Sequence, residues 1–80
     1  MYIAYVLKSL KDGKHYYGST SKLGERLKLH NQGKLRFTKG HRPWKIQYYE
    51  ELETRTEALA REKFFKTIDG YNWLKGEGII

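Results

Sequence analysis

Tyr2-Ile3-Ala4-Tyr5-Val6-Leu7 is an unbroken run of aromatic, aliphatic and β-branched side chains at the start of the chain. A strand with one wet face alternates apolar and polar residues. A run without alternation needs cover on both sides, so this segment is expected to be the central strand of a layered fold. The chain has 80 residues, enough for one modest core that buries roughly 60–70% of the unfolded surface, and too few for a two-domain enzyme.

The rest of the chain supplies the layers. Asp12-Gly13 is a hairpin signal, and His15-Tyr16-Tyr17-Gly18 reads as the antiparallel return strand. With Asp12 and Gly13 as the two turn residues, Tyr16 stands opposite Ser9. Tyr5 and Tyr16 then share a face, a register that a bulge in the turn would shift. Ser21 is the expected N-cap of a helix running to about Gln32, with Gly33 as its stop. On that helix Leu23, Arg26, Leu27 and His30 fall within about 100° of the circumference. The leucines are expected on the sheet, with Arg26 and His30 projecting from its border.

Lys34 to Pro43 reads as a basic loop, and Trp44-Lys45-Ile46-Gln47-Tyr48 as a third strand alternating with period two. Thr54 and Glu57 have capping-box spacing for a second helix, expected to reach about Thr67. Its core side carries Ala58, Phe65 and Ile68, with Glu62 beside them. Gly70 is expected to end it, before a short helical turn at Tyr71–Leu74. The expected architecture is α+β, with a three-stranded antiparallel sheet flanked by helices in the order β-β-α-β-α-α. Residues 1–75 form the expected domain and 76–80 a loose tail.

Charge narrows the partner. The chain carries +7, and residues 1–50 hold eleven basic against three acidic side chains, the remainder five against six. A positive surface of this size suits a polyanion, through counterion release at each neutralised phosphate; the bland reading is a basic surface that only aids solubility. There is no cysteine, which excludes disulfides, thiolate metal sites and cysteine nucleophiles. No segment approaches the roughly 20 apolar residues of a membrane span, and the N-terminus lacks a signal-peptide layout. A cytoplasmic location, with nucleoid association as a variant, is therefore expected.

Five ordered elements carry a family likeness: Ile3-Ala4-Tyr5, then Tyr16-Tyr17-Gly18, then Arg26, His30 four residues later, and Glu62 within Thr56–Lys63. In order and spacing they resemble the GIY-YIG nuclease superfamily, in particular its small single-domain members similar to the N-terminal domain of excision-repair nucleases. The likeness spans about Tyr2 to Leu74. Ala4 and Tyr17 replace the isoleucines of the two signature elements, at middle positions that point away from the tyrosines. Where some members place a lysine after the second element, Lys22 is the nearest here; Asn72 stands where many have an asparagine, at a spacing that does not match firmly.

The resemblance implies a metal-dependent endonuclease hydrolysing phosphodiester bonds in DNA, with a place in DNA repair. It implies Tyr5, Tyr16, Arg26, His30 and Glu62 as catalytic residues, with Glu62 holding Mg²⁺ (or Mn²⁺). A hard cation that keeps its waters needs as little as one protein carboxylate. A guanidinium suits a phosphate because it gives parallel donors and stays charged. His30 would shuttle a proton or hydrogen-bond a phosphate oxygen. Tyr16 would position or deprotonate the attacking water while Tyr5 holds the phosphate, with the two roles open to exchange. Each residue also has a plain structural reading: Glu62 paired with Lys66, Arg26 on a solvated helix face, His30 capping carbonyls, the tyrosines as core aromatics.

Lys22, Lys28, Lys34, Arg36, Lys39 and Arg42 are expected to contact the nucleic-acid backbone, DNA or RNA. Phe37 either stacks on a base or plugs the core. A preference for structure or single strands over sequence is expected, because the chain has no room for a separate targeting domain; a homodimer or a partner protein would supply one. Two rival readings remain. One is a non-catalytic nucleic-acid-binding module on the same scaffold, and the other a protein adaptor anchored by Trp44, Tyr49 and Trp73.

Overall fold

The apolar first segment forms β1 (Tyr2–Ser9), and it is central. β2 (His15–Thr20) pairs along one side and β3 (Trp44–Leu52) along the other, both antiparallel. This computed structural model describes all 80 residues. α1 (Leu23–Asn31) follows β2, and α2 (Arg55–Phe65) and α3 (Ile68–Gly76) follow β3, in the expected α+β order. One turn of 3-10 helix, Lys39–His41, precedes β3. No helix is long and apolar enough to cross a membrane.

Alternate residues of β1 build two separate cores. Ala4 and Val6 pack with Phe65 of α2 and Leu74 of α3. Tyr5 and Leu7 face the other way and pack with Trp44, Tyr16, Leu23 and Leu27, under α1. Both-sided cover is what an unalternating apolar strand requires.

Several local expectations are corrected by longer-range contacts. The β1–β2 register is displaced by two residues: Tyr16 lies opposite Leu7, not Ser9. The cause is Ser9, whose buried hydroxyl accepts the Lys11 and Asp12 amides and holds a wider turn. A shift of two preserves parity, so Tyr5 and Tyr16 do share a face. α1 starts at Leu23 with Lys22 as its cap, and no side chain caps it. The Thr20 hydroxyl takes the Lys22 amide instead, leaving Ser21 no role there. The helix ends at Gly33 as expected, with the Gly33 and Lys34 amides bonding back to His30 and Leu29.

In β3 the register slips by one between Tyr48 and Ile46, a bulge at Gln47. Period two would put Trp44 and Tyr48 on one face. The bulge sends Trp44 under α1 and Tyr48 under α2 and α3. Thr54 caps α2 through the Glu57 amide, but the Glu57 carboxylate accepts from the Thr54 hydroxyl, not from an amide, so only half of the box forms.

α2 stops at Phe65, short of Thr67. There the Thr67 hydroxyl donates to the Phe64 carbonyl and accepts the Gly70 amide, ending one helix and capping the next. α3 is accordingly a nine-residue helix that contains Gly70, and Ile68 lies exposed on it, away from the core. Gly70 is needed for close approach: a Cβ there would stand 1.8 Å from the Phe64 carbonyl oxygen. Residues 76–80, expected to be loose, carry contacts. Ile79 and Ile80 pack on the α2–α3 core, and Gln47 Nε2 donates to the Ile79 carbonyl at 2.8 Å.

Candidate active site

Tyr5 and His30 form the buried centre of the α1 face, at 1% and 0% exposure. His30 therefore does not project from the helix border as expected. The basic loop folds over it and brings the fully buried Thr38 to its ring. Both ring nitrogens find partners: Nε2 lies 3.1 Å from the Tyr5 hydroxyl and Nδ1 2.8 Å from Thr38 Oγ1. A buried imidazole is tolerated when both nitrogens are satisfied in this way.

The direction of these bonds follows from their end point. Thr38 Oγ1 donates to the Leu35 carbonyl, which can only accept. With its one proton committed, Thr38 accepts from His30 Nδ1–H, and the Nε2 lone pair accepts the Tyr5 proton. The result is a neutral imidazole and a protonated phenol. Electrostatics agree. Burial, then the Arg26 charge, lowers His30 to about 4. Burial pushes Tyr5 up to about 12, with Tyr16 and Glu62 adding to the rise and Arg26 opposing it. Tyr16 stacks edge-on against His30, with ring centroids 4.9 Å apart, and lies 6.4 Å from Tyr5.

Gly18 determines where the Tyr5 ring goes. It lies opposite Tyr5 across the β1–β2 ladder, and a Cβ there would come within 2.5 Å of the phenol oxygen. Only glycine lets the ring lie across β2 toward the edge of the sheet. At that edge the two faces meet. A cleft of about 400 Å³ is lined by Ser19 and Thr20 of β2, Arg26 of α1, and Arg55 and Ala58 of α2. The Arg26 Nε is the one buried side-chain nitrogen or oxygen in the molecule without a hydrogen-bond partner. No carboxylate pairs with this guanidinium. An unneutralised, under-bonded guanidinium at a cleft is a site for an anion.

Glu62 reaches the same edge from α2. Its carboxylate accepts from Ser19 Oγ at 2.7 Å and from Lys66 Nζ at 2.9 Å. The i,i+4 pair with Lys66 is thus present, and Glu62 also stands near enough to Tyr5 to affect its ionisation. No three acidic or histidine side chains cluster to form a metal site. No local sequence pattern points to Ser19, Thr38 or Arg55; each joins the site only through pairing or loop closure. Asn72 is exposed on α3 and does not line the cleft.

Lys22, Lys28, Lys34, Arg36 and Lys39 are exposed. Arg42 is exposed too, but its Nε donates to the Lys39 carbonyl at 2.8 Å and its guanidinium lies against Gly33. It staples the loop to the end of α1. Of the residues that an adaptor would use as anchors, Trp44 is buried and Trp73 packs on the α2–α3 core, leaving only Tyr49 exposed.

The family model of the GIY-YIG catalytic domain matches residues 1–71. The chain belongs to the GIY-YIG family. That family is one of nucleases, so this is a nuclease domain whose substrate is nucleic acid. Among similar proteins, the UPF0213 protein of Bacillus licheniformis is 41% identical over 69 residues, covering 85% of this chain and 70% of the relative. The UPF0213 protein of Bacillus pumilus is 44% identical over 64 residues, covering 79% of this chain and 64% of the relative. The UPF0213 protein of Clostridium perfringens is 39% identical over 69 residues, covering 85% and 73%. No solved structure matches the chain.

Proposed function

We propose that this GIY-YIG domain is a divalent-metal-dependent endonuclease that hydrolyses phosphodiester bonds in DNA, preferring single strands or distorted structure over sequence. The observation that carries the reading is the unpartnered Arg26 Nε at the cleft. A phosphate seated there takes parallel donors from the guanidinium, which follows charge as it develops on the non-bridging oxygens.

The tyrosines divide the remaining work. The Tyr5 hydroxyl is buried and donated to His30, so it supports the site without touching substrate. Tyr16 is half-buried and its hydroxyl makes no protein hydrogen bond, which leaves it able to orient the attacking water. Neutral His30 holds Tyr5 in place and is not itself positioned to meet solvent. Glu62 fits a hard cation: it offers carboxylate oxygens and has the Ser19 hydroxyl beside it, and the cation would displace the Lys66 ammonium that now pairs with it. Water would complete the shell, as magnesium commonly allows. Glu62 is the residue that would hold Mg²⁺ or Mn²⁺, which supplies charge stabilisation at the phosphate when bound.

Labelled single-stranded, duplex and branched DNA incubated with Mg²⁺, Mn²⁺ or EDTA tests the proposal. Metal-dependent nicking is expected, reduced by about 10²–10³-fold in Arg26→Ala and lost in Glu62→Gln. Cleavage that survives EDTA and both substitutions would overturn it. Binding without cleavage would favour the non-catalytic module, a reading to which the Lys66 ammonium on Glu62 lends support.

A further inference from the structure

Phe37 is 83% exposed, more than any other large apolar side chain in the molecule. Burying a phenylalanine is worth roughly 1.5–3 kcal/mol, and Phe37 forgoes it; exposure alone is ordinary, as Ile68 shows, but here it comes with a fixed backbone and a ring of cations. The loop is not slack, because the residues around Phe37 are pinned. The next residue, Thr38, is fully buried; its side chain holds His30 and its carbonyl accepts Trp44 Nε1–H at 2.9 Å. The Thr38 and Lys39 amides both bond to the Leu35 carbonyl. Beyond them, Arg42 bonds to the Lys39 carbonyl and the Ser9 hydroxyl to the His41 carbonyl at 2.6 Å. The ring is displayed on a fixed turn.

The segment that carries it is of one sign, and the one carboxylate paired to it is Asp12, on His41. Residues 34–42 contain no acidic side chain. Lys34, Arg36 and Lys39 are exposed and have no ion-pair partner. An aromatic face ringed by free cations matches a strand of unpaired nucleotides, in which a base stacks on the ring and the flanking phosphates meet the cations. A duplex keeps its bases stacked on one another and offers no free face.

We propose that the Lys34–Arg42 loop is a docking platform for single-stranded DNA, with Phe37 as the stacking residue and Lys34, Arg36 and Lys39 as phosphate contacts. This rests on the nuclease reading only in its choice of DNA as the polymer. It adds the origin of a single-strand preference: the loop that carries Phe37 continues from α1, whose last residue, Asn31, lies about 7.5 Å along the helix axis from Arg26 at 1.5 Å per residue, which ties the platform to the helix that carries the cleft guanidinium. Thr38 belongs to the same turn, which gives the platform and the His30 hydrogen bonds a common backbone support.

The test is binding without turnover, so that it stands apart from cleavage. Fluorescence anisotropy in EDTA would follow a labelled oligothymidine strand and a blunt duplex of equal length. Phe37→Ala is expected to weaken single-strand binding by roughly 5- to 150-fold, the range of one lost base stack. Duplex binding and the thermal melt should stay unchanged, and Phe37→Trp should retain the affinity. Arg36→Ala should weaken both probes and lower the salt slope by about one. Equal losses on both DNAs in Phe37→Ala, or no loss on either, would overturn the proposal. So would a Phe37→Ala defect seen only on phosphatidylserine vesicles, which would make the loop a membrane contact. A normal Phe37 pattern with no metal-dependent cleavage would leave the platform standing and remove only the nuclease.

Discussion

The two faces of the sheet are built on one strand and follow different rules. On the α2–α3 face, Ala4, Val6, Phe65 and Leu74 make an apolar centre ringed by aromatics, with Phe65 stacked 6.4 Å from Trp73. Its charged groups stay at the rim. Arg61 lies over Phe64, Phe65 and Trp73 and forks onto Glu50 through bonds of 2.8 and 2.9 Å, while Tyr48 donates to the same carboxylate. Burial pushes the Glu50 pKa up, and the bonds from Arg61 and Tyr48 outweigh that, holding it below its ordinary value. On the α1 face the polar groups are at the centre: Tyr5, His30 and Thr38, joined in sequence. One face derives its stability from packing; the other spends part of its interior on fixing donors and acceptors, which a catalytic site needs and a core does not.

Three substitutions sharpen this contrast, in falling order of effect. Phe65→Ala on the packed face should cost about 3–5 kcal/mol of unfolding free energy, read from urea titration, because a fully buried ring leaves a cavity. A loss below 1 kcal/mol would show that this face is not the main source of stability.

His30→Gln addresses the hydrogen-bonded face. His30 titrates near 4 when folded against 6.5 unfolded, so between those values the unfolded chain binds more protons. Stability should be full above pH 6.5 and fall by roughly 3 kcal/mol as pH drops to 4. Burial depresses His30 most, Arg26 is the charged group that adds to it, and the Tyr5 and Thr38 bonds hold the ring neutral. The variant should lose most of that slope while keeping the acid limb that Asp12, lowered to about 2 by the Lys14 amide and His41, contributes at lower pH. Parallel curves for wild type and variant would mean that no neutral histidine is buried there.

Gly18→Ala is the smallest change and tests the meeting point of the two faces. A Cβ within 2.5 Å of the Tyr5 oxygen forces the ring off His30, at about 1–3 kcal/mol and with reduced cleavage. An unaltered melt would show that the ring does not cross the strand.

Some of this arrangement is legible in short stretches of chain. The unalternating run of β1 required cover on both sides, and parity alone put Tyr5 and Tyr16 on one face despite the displaced turn. Gly33 as a helix stop and Thr54 as a helix cap act within one turn of their own backbone, so neighbours in sequence suffice to read them.

Other features depended on partners far along the chain. The Gln47 bulge decides which core receives Trp44, and Thr67 decides that one long helix becomes two. Thr38 turns a helix-border histidine into a fully buried polar group. Arg26 lines the cleft from α1, and Glu62, on α2 across the sheet, reaches its border through Ser19, only because β2 is an edge strand that both helices can reach around. Hydrophobic periodicity reports which side of an element is wet. It carries no information on which distant hydroxyl or carbonyl will satisfy a buried ring nitrogen, and that pairing is what the tertiary structure supplied.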